Sequence, residues 1–89
     1  MNTAQIEALL VDEIVAACPE LADFEIRTDA SLTGELGLDS LTLSALFAGV
    51  KAQFGHLQLA PWFIKASNEG NDTIASLAAF ISARIARAA

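Results

Sequence analysis

The residues best suited to chemistry are Asp39 and Ser40, which stand at the start of a stretch with helical periodicity. A serine in the first turn of a helix lies beside backbone N–H groups that have no partner within the helix, and near the positive end of the helix dipole. Both features favour a phosphate group at that position. The pair is therefore suited to a phosphate group at this position or, more simply, to a helix cap.

A catalytic serine is the chemical alternative, and the sequence argues against it. Nucleophilic catalysis needs a base beside the serine. The single histidine, His56, follows sixteen residues later, which is about 24 Å along a helix at about 1.5 Å per residue. The chain has Leu38 where a Gly-Asp-Ser-Leu hydrolase has glycine, and it lacks Gly-x-Ser-x-Gly. We therefore predict no self-contained enzyme. We also predict no bound metal, because one histidine and one cysteine, Cys18, cannot form a structural zinc site.

Periodic apolar residues and turn signals predict the helices that position these groups. The first helix starts at a cap, Asn2 or Thr3, and ends before Pro19, which cannot continue a helix. The second helix runs from Asp39, as its cap, to Phe54, and the glycine that follows is a natural stop. Ser40 is therefore expected in the first turn of the second helix.

Two further helices are expected in the second half of the chain. A short third helix begins at Pro61 and spans a turn or two before the polar segment 67–71. Asp72 or Thr73 caps a fourth helix, whose apolar residues recur at helical spacing. No strand pattern competes with these helices.

A long connection, residues 19–38, joins the first two helices. Its spaced leucines favour an ordered loop, with one short helical turn at residues 29–32. The sequence therefore predicts an all-α fold, a four-helix bundle with a long loop between the first and second helices and a short third helix. The whole chain, residues 1–89, is expected to form a single domain.

Composition and charge limit the partners. Hydrophobic residues make up 54% of the chain, and eleven acidic residues against five basic ones give a net charge of -6. Such a chain is expected to fold, to repel nucleic acid and to prefer basic proteins. It has no apolar run near the roughly 20 residues that a membrane span needs, and no sequence like a secretory signal at its start. We therefore expect a cytoplasmic protein that binds neither nucleic acid nor membrane.

Residues 36–41, Leu-Gly-Leu-Asp-Ser-Leu, resemble the attachment motif of the acyl and peptidyl carrier proteins. The resemblance spans nearly the whole chain, including Phe54-Gly55 after the motif helix and residues 72–74, Asp-Thr-Ile, before the last helix. It implies that a separate phosphopantetheinyl transferase, using magnesium, moves 4'-phosphopantetheine from coenzyme A to Ser40. Asp39 would help that transferase hold the serine and its metal.

The same resemblance implies a non-catalytic role. The thiol at the end of the arm would hold acyl or aminoacyl groups as thioesters. A loading enzyme and downstream synthases or transferases would perform every bond change. The carrier itself would supply positioning and identity, because tethering raises the local concentration of the intermediate at a docked active site.

The outward face of the second helix departs from the best-known members of that family. Fatty-acid carriers typically hold acids there, whereas the stretch from Leu41 to Asn68 contains none. Leu41 is expected to point away from the core, together with Ala45, Ala48 and Gly49. A smooth, nearly uncharged face suits docking by shape, with weak salt dependence. We therefore expect a discrete carrier of polyketide or nonribosomal-peptide biosynthesis that docks through Leu41, Ala45 and Ala48.

Trp62 and Phe63 have two interpretations. They either fill the core or belong to a surface around the arm. The third helix borders the arm in carrier proteins, so Trp62, Phe63 and Ile64 are where partner or cargo choice could be determined.

A function of another class remains open. A helical interaction domain without an arm could bind a partner through the neutral face of the second helix. In that case Ser40 would be an ordinary helix-start residue. Modification by a transferase distinguishes the two.

Overall fold

A computed structural model describes residues 2–55 and 57–88, with side chains as far as residue 85. Its four α-helices are α1 (Thr3–Ala17), α2 (Ser40–Phe54), α3 (Leu59–Asn68) and α4 (Ile74–Ala88). The described residues contain no strand, only one isolated antiparallel bridge between Ser31 and Thr73. The prediction of an all-α fold with four helices is therefore confirmed. None of these helices has the length and apolarity that crossing a bilayer would require. His56 lies outside the described residues.

The first helix begins and ends where the sequence predicts. The Asn2 side chain accepts the N–H of Gln5 at 2.8 Å, and the Gln5 side chain accepts the N–H of Asn2 at 2.9 Å. This reciprocal capping box identifies Asn2, and not Thr3, as the cap. The helix stops at Ala17, and Pro19 opens a short 3-10 helix that ends at Asp23.

The core lies between α1, α2 and α4, with α1 packed against both of the others. Its largest side chains are at most 1% exposed: Ile6, Leu10, Ile14, Leu32, Leu46, Val50, Leu59, Ile74, Leu77 and Ile81. Full burial of such a side chain stabilises the fold by about 1.5–3 kcal/mol. Because Leu32 belongs to this set, the long loop is fixed to the core at its middle, as its spaced leucines suggest.

The helical turn expected at residues 29–32 is not formed. The backbone there pairs with the start of α4 instead, where Ser31 bridges Thr73 and the Leu32 N–H donates to the Asp72 carbonyl oxygen at 2.8 Å. These contacts take the place of local helical hydrogen bonds. The loop turns on either side of this point: the Ala30 N–H donates to the Arg27 carbonyl oxygen, and the N–H groups of Glu35 and Leu36 both donate to the Ser31 carbonyl oxygen.

The third helix is longer than predicted at both ends. It starts at Leu59, two residues before Pro61, and it includes Ser67 and Asn68. Pro61 fits inside the first turn, where its missing N–H would have no helical partner. The helix extends back because Leu59 is buried in the core, 1% exposed, and a buried apolar residue overrides the weak local start signal.

Candidate functional site

Asp39 and Ser40 occupy the positions that the sequence predicts for them. Asp39 precedes α2 with extended backbone angles, and its Oδ1 accepts the N–H of Thr42 at 2.8 Å, so Asp39 is the N-cap. Ser40 is the first residue of α2 and is exposed. Within the described part of the chain, the Ser40 side chain takes part in no hydrogen bond with another protein group. Its hydroxyl is therefore available to an outside reagent.

The Asp39 carboxylate is held in its charged form. The hydrogen bond from the Thr42 N–H, reinforced by the Thr42 hydroxyl, keeps the pKa of Asp39 below its usual 3.8. Such bonds stabilise the ionised carboxylate. At neutral pH an exposed serine hydroxyl thus stands directly beside an exposed negative charge. No group of three or more histidine, cysteine or acidic side chains that could hold a metal exists among the described residues.

The loop before α2 is shaped so that its apolar residues point inward and its last residues outward. Leu38 is 5% exposed, and its N–H donates to the Leu32 carbonyl oxygen at 2.9 Å. Gly37 has a φ of 68°, a conformation that side-chain-bearing residues rarely adopt. The buried leucine and the glycine turn therefore leave Asp39 and Ser40 at the surface.

The outward face of α2 agrees only in part with the prediction. Leu41 is 81% exposed, and Ala45 and Ala48 are also exposed. Gly49 is not an outward residue, because a side chain added there would collide with the Glu13 carboxylate of α1. The prediction that Gly49 faces outward is therefore wrong, because it took no account of Glu13 on the neighbouring helix. The α2 face is therefore bordered by an acid of α1, although α2 itself contributes none.

Trp62 and Phe63 are half-buried and belong to a row of aromatic rings across three helices. The Phe47 ring of α2 meets Phe63 edge-on with centroids 5.8 Å apart. Trp62 lies 6.4 Å from Phe63 and 6.0 Å from Phe80 of α4. These contacts fit the core-filling interpretation for Phe63, whereas Trp62 also lines a surface groove. The most exposed of the three predicted residues is Ile64, at 62%.

A buried carboxylate on the other side of the loop was not predicted. Asp72, 3% exposed, accepts the Ser31 hydroxyl on both carboxylate oxygens, at 3.0 and 3.2 Å. Its Oδ2 also accepts the Thr33 hydroxyl at 2.7 Å and the Thr33 N–H at 3.2 Å. Thr73, not Asp72, caps α4, because its Oγ1 accepts the Ser76 N–H at 3.0 Å. Asp72 therefore fastens the loop to the start of α4.

The surroundings of Asp72 favour its charged form. Burial alone would raise the pKa of this carboxyl, but the hydrogen bonds from Thr33 and Ser31 outweigh burial and lower the pKa below 3.8. The sequence alone does not indicate these contacts. The two hydroxyl residues and the acid lie about forty positions apart, and only the fold brings them together.

In comparisons with known proteins, no family model matches the chain, and neither a curated protein nor a solved structure matches it. Its function is therefore inferred from its own residues and contacts.

Proposed function

We propose that this protein is a carrier whose Ser40 bears a 4'-phosphopantetheine arm, on which acyl or aminoacyl groups are held as thioesters. The observation that carries the proposal is the exposed Ser40 hydroxyl at the first position of α2, beside an ionised Asp39. The resemblance of residues 36–41 to the carrier attachment motif supports phosphopantetheine as the group that this hydroxyl accepts.

Asp39, and not Ser40, caps α2, which favours attachment of an arm to Ser40 over a simple capping role for Ser40. Asp39 alone accepts the Thr42 N–H, so the helix start does not require the Ser40 hydroxyl. Leu41 next to it is 81% exposed, although burial of a leucine would stabilise the fold by about 1.5–3 kcal/mol. Two adjacent residues without a stabilising contact, at the start of one helix, suit recognition by another protein.

The modification step is a transfer of a phosphoryl-linked group. Ser40 Oγ would form a bond to the phosphorus that carries pantetheine in coenzyme A. The bond from that phosphorus to the bridging oxygen breaks, adenosine 3',5'-bisphosphate leaves, and the hydroxyl proton passes to the transferase. The phosphodiester then bears one negative charge at the first turn of α2, where the helix dipole and backbone N–H groups favour it.

Docking of partner enzymes is proposed to use exposed apolar residues of α2 and α3. Leu41, Ala45 and Ala48 lie outward on α2, and Ile64 of α3 is 62% exposed. These residues are uncharged, residues 41–68 contain no acid, and Glu13 of α1 lies only at the border of the α2 face, so docking by apolar burial is favoured over charge steering. We therefore place the carrier in polyketide or nonribosomal-peptide biosynthesis, with a dedicated set of partners.

The test is the intact mass of the protein after incubation with coenzyme A, magnesium and a broad-specificity phosphopantetheinyl transferase. The wild type should gain the mass of one arm, and Ser40→Ala should gain none. Ser44→Ala is the matched control, because Ser44 is also an exposed serine of α2, and it should be modified normally. An unmodified wild type with several transferases, or a modified Ser40→Ala, would contradict the proposal.

A helical interaction domain without an arm is the second candidate. The exposure of Leu41 and Ile64 favours it as much as it favours a carrier, because both side chains could anchor a partner. The two functions differ in whether they require the Ser40 hydroxyl. An interaction domain should bind its partner equally well as Ser40→Ala, whereas a carrier would lose acyl transfer completely.

A further inference from the structure

A groove between α3 and α4 combines aromatic and cationic side chains. Its volume is about 600 Å³, it is open to solvent, and it is lined by Gln58, Pro61, Trp62, Lys65, Phe80 and Arg84. Trp62 and Phe80 are neighbours in this lining, with ring centroids 6.0 Å apart. The Arg84 guanidinium carbon lies 5.0 Å from the centre of the Phe80 ring, a cation–π contact that holds the charge at the groove.

The groove is basic in a protein that is otherwise acidic. Residues 1–40 contain nine acids and one base, whereas residues 41–89 contain two acids and four bases. Two of those bases, Lys65 and Arg84, line the groove, and no acid lines it. The one salt bridge among the described residues joins Arg27 to Asp29, so neither groove cation is neutralised there. Charges elsewhere act weakly on a bound group, because the Debye length is about 8 Å at physiological ionic strength.

The helix dipole accounts for part of this arrangement. Lys65 stands in the last turn of α3, where a cation is favourable. Arg84 lies four residues before the end of α4, where the dipole effect is already weak, so the dipole does not explain why both cations lie beside the same two aromatic rings. Aromatic residues and arginine are the side chains most enriched at the centres of protein interfaces.

We infer that this groove is a docking site for an acidic segment of a partner protein. An apolar or aromatic side chain of the segment would stack on Trp62 and Phe80, and its carboxylates would pair with Lys65 and Arg84. The shape favours a peptide over a small molecule, since small-molecule sites enclose about 70–90% of their ligand and this groove is open. The site does not involve Ser40, so it operates whether or not the arm is attached.

Selection from a displayed library of random short peptides tests the inference. The full chain is the bait, and Trp62, the single tryptophan, reports binding at the groove through its fluorescence. We expect the enriched peptides to contain Asp or Glu together with an apolar or aromatic residue, and to shift the Trp62 emission. Lys65→Glu should weaken their binding by about tenfold, or about 1.4 kcal/mol, because it removes one ion pair and places a like charge beside the peptide carboxylates.

Lys51→Glu is the matched control. Lys51 is an exposed lysine of α2 outside the groove lining, and this substitution changes the net charge by the same amount. It should leave binding within about twofold, because the pairing is local. Equal losses in both variants, enrichment of basic or neutral peptides, or an unchanged Trp62 emission would each overturn the inference. Concentration-dependent dimerisation that Lys65→Glu abolishes would overturn it too, by showing a second copy of the chain as the occupant.

Discussion

Asp72→Asn is the substitution that most directly tests how the loop is held. The change keeps the size of the side chain but removes its charge and one acceptor oxygen. The remaining oxygen can still accept the two Thr33 donors, whereas the new NH₂ group faces the Ser31 hydroxyl, which donates to Asp72 in the wild type. The Ser31 hydroxyl then either keeps only its longer bond, 3.2 Å to the remaining oxygen, or rotates to accept from the NH₂ group in addition to the Gly34 N–H.

The magnitude follows from the hydrogen bonds that change. A hydrogen bond to a charged group contributes about 1.5–3 kcal/mol, and a neutral one about 0.5–1.5 kcal/mol. Loss of charge on the Thr33 bonds and rearrangement of the Ser31 bond together should lower the free energy of unfolding by about 2 kcal/mol. For a domain of this size that corresponds to a fall of roughly 10 °C in Tm.

The pH dependence has a definite sign. Because the folded-state pKa of Asp72 is lowered, its stabilising contribution is present above the unfolded value of 3.8 and is lost as pH falls through the folded pKa. Asp72→Asn lacks this titration. The difference in unfolding free energy between wild type and variant should therefore be full at pH 7 and shrink steadily below about pH 4.

Urea unfolding followed by Trp62 fluorescence, at pH 7 and at a series of acidic pH values, measures this difference. Asp12→Asn is the matched control, because Asp12 is exposed on α1 and the substitution is chemically identical; it should change stability by less than about 0.5 kcal/mol. An Asp72→Asn variant as stable as the wild type at pH 7 would refute the account. So would a stability difference that stays constant from pH 7 to pH 3.

Three further outcomes are expected. Asp39→Asn should lower Tm only slightly, because asparagine still caps the helix but loses the charge that the Thr42 N–H stabilises. It should lower kcat/KM of the transferase by about tenfold through loss of charge; equal rates would contradict a recognition role. Gly49→Ala should raise the free energy of unfolding in urea by about 0.5 kcal/mol, since the flexible end of Glu13 can swing away; destabilisation would show that Glu13 is held there. Leu41→Ala should leave stability within about 0.5 kcal/mol, because Leu41 is 81% exposed, and should raise the transferase KM; an unchanged KM would remove it from the docking surface.

The features predictable from the sequence are those determined within a few residues. The caps at Asn2 and Asp39, the stop at Pro19 and the stop at Gly55 each depend on a local hydrogen bond or a local backbone angle. Gly55, for example, ends α2 with a φ of 88°, an angle that glycine adopts readily and other residues rarely do. Local rules therefore located α2 and its first serine correctly.

The features missed are those that need a neighbour from elsewhere in the chain. Asp72 and Thr73 were both predicted as possible caps of α4, because aspartate and threonine commonly cap helices, and the sequence did not decide between them. The Asp72 carboxylate binds Thr33, 39 positions away, which leaves the other predicted residue, Thr73, as the cap. Gly49 was misplaced for the same reason, since a helical wheel carries no information about Glu13. No local pattern could have supplied either contact.

These distant contacts bear on Ser40 itself. The Leu32 N–H donates to the Asp72 carbonyl oxygen at 2.8 Å, and the Leu38 N–H donates to the Leu32 carbonyl oxygen at 2.9 Å. The start of α2 is thereby tied through two hydrogen bonds to the start of α4. A tethered group is presented best when its origin is fixed, because only the arm must then be ordered at a docked active site. A partner bound to the folded surface would therefore also fix the position of Ser40. A carrier needs Ser40 in a fixed position to present its arm, whereas an interaction domain without an arm does not.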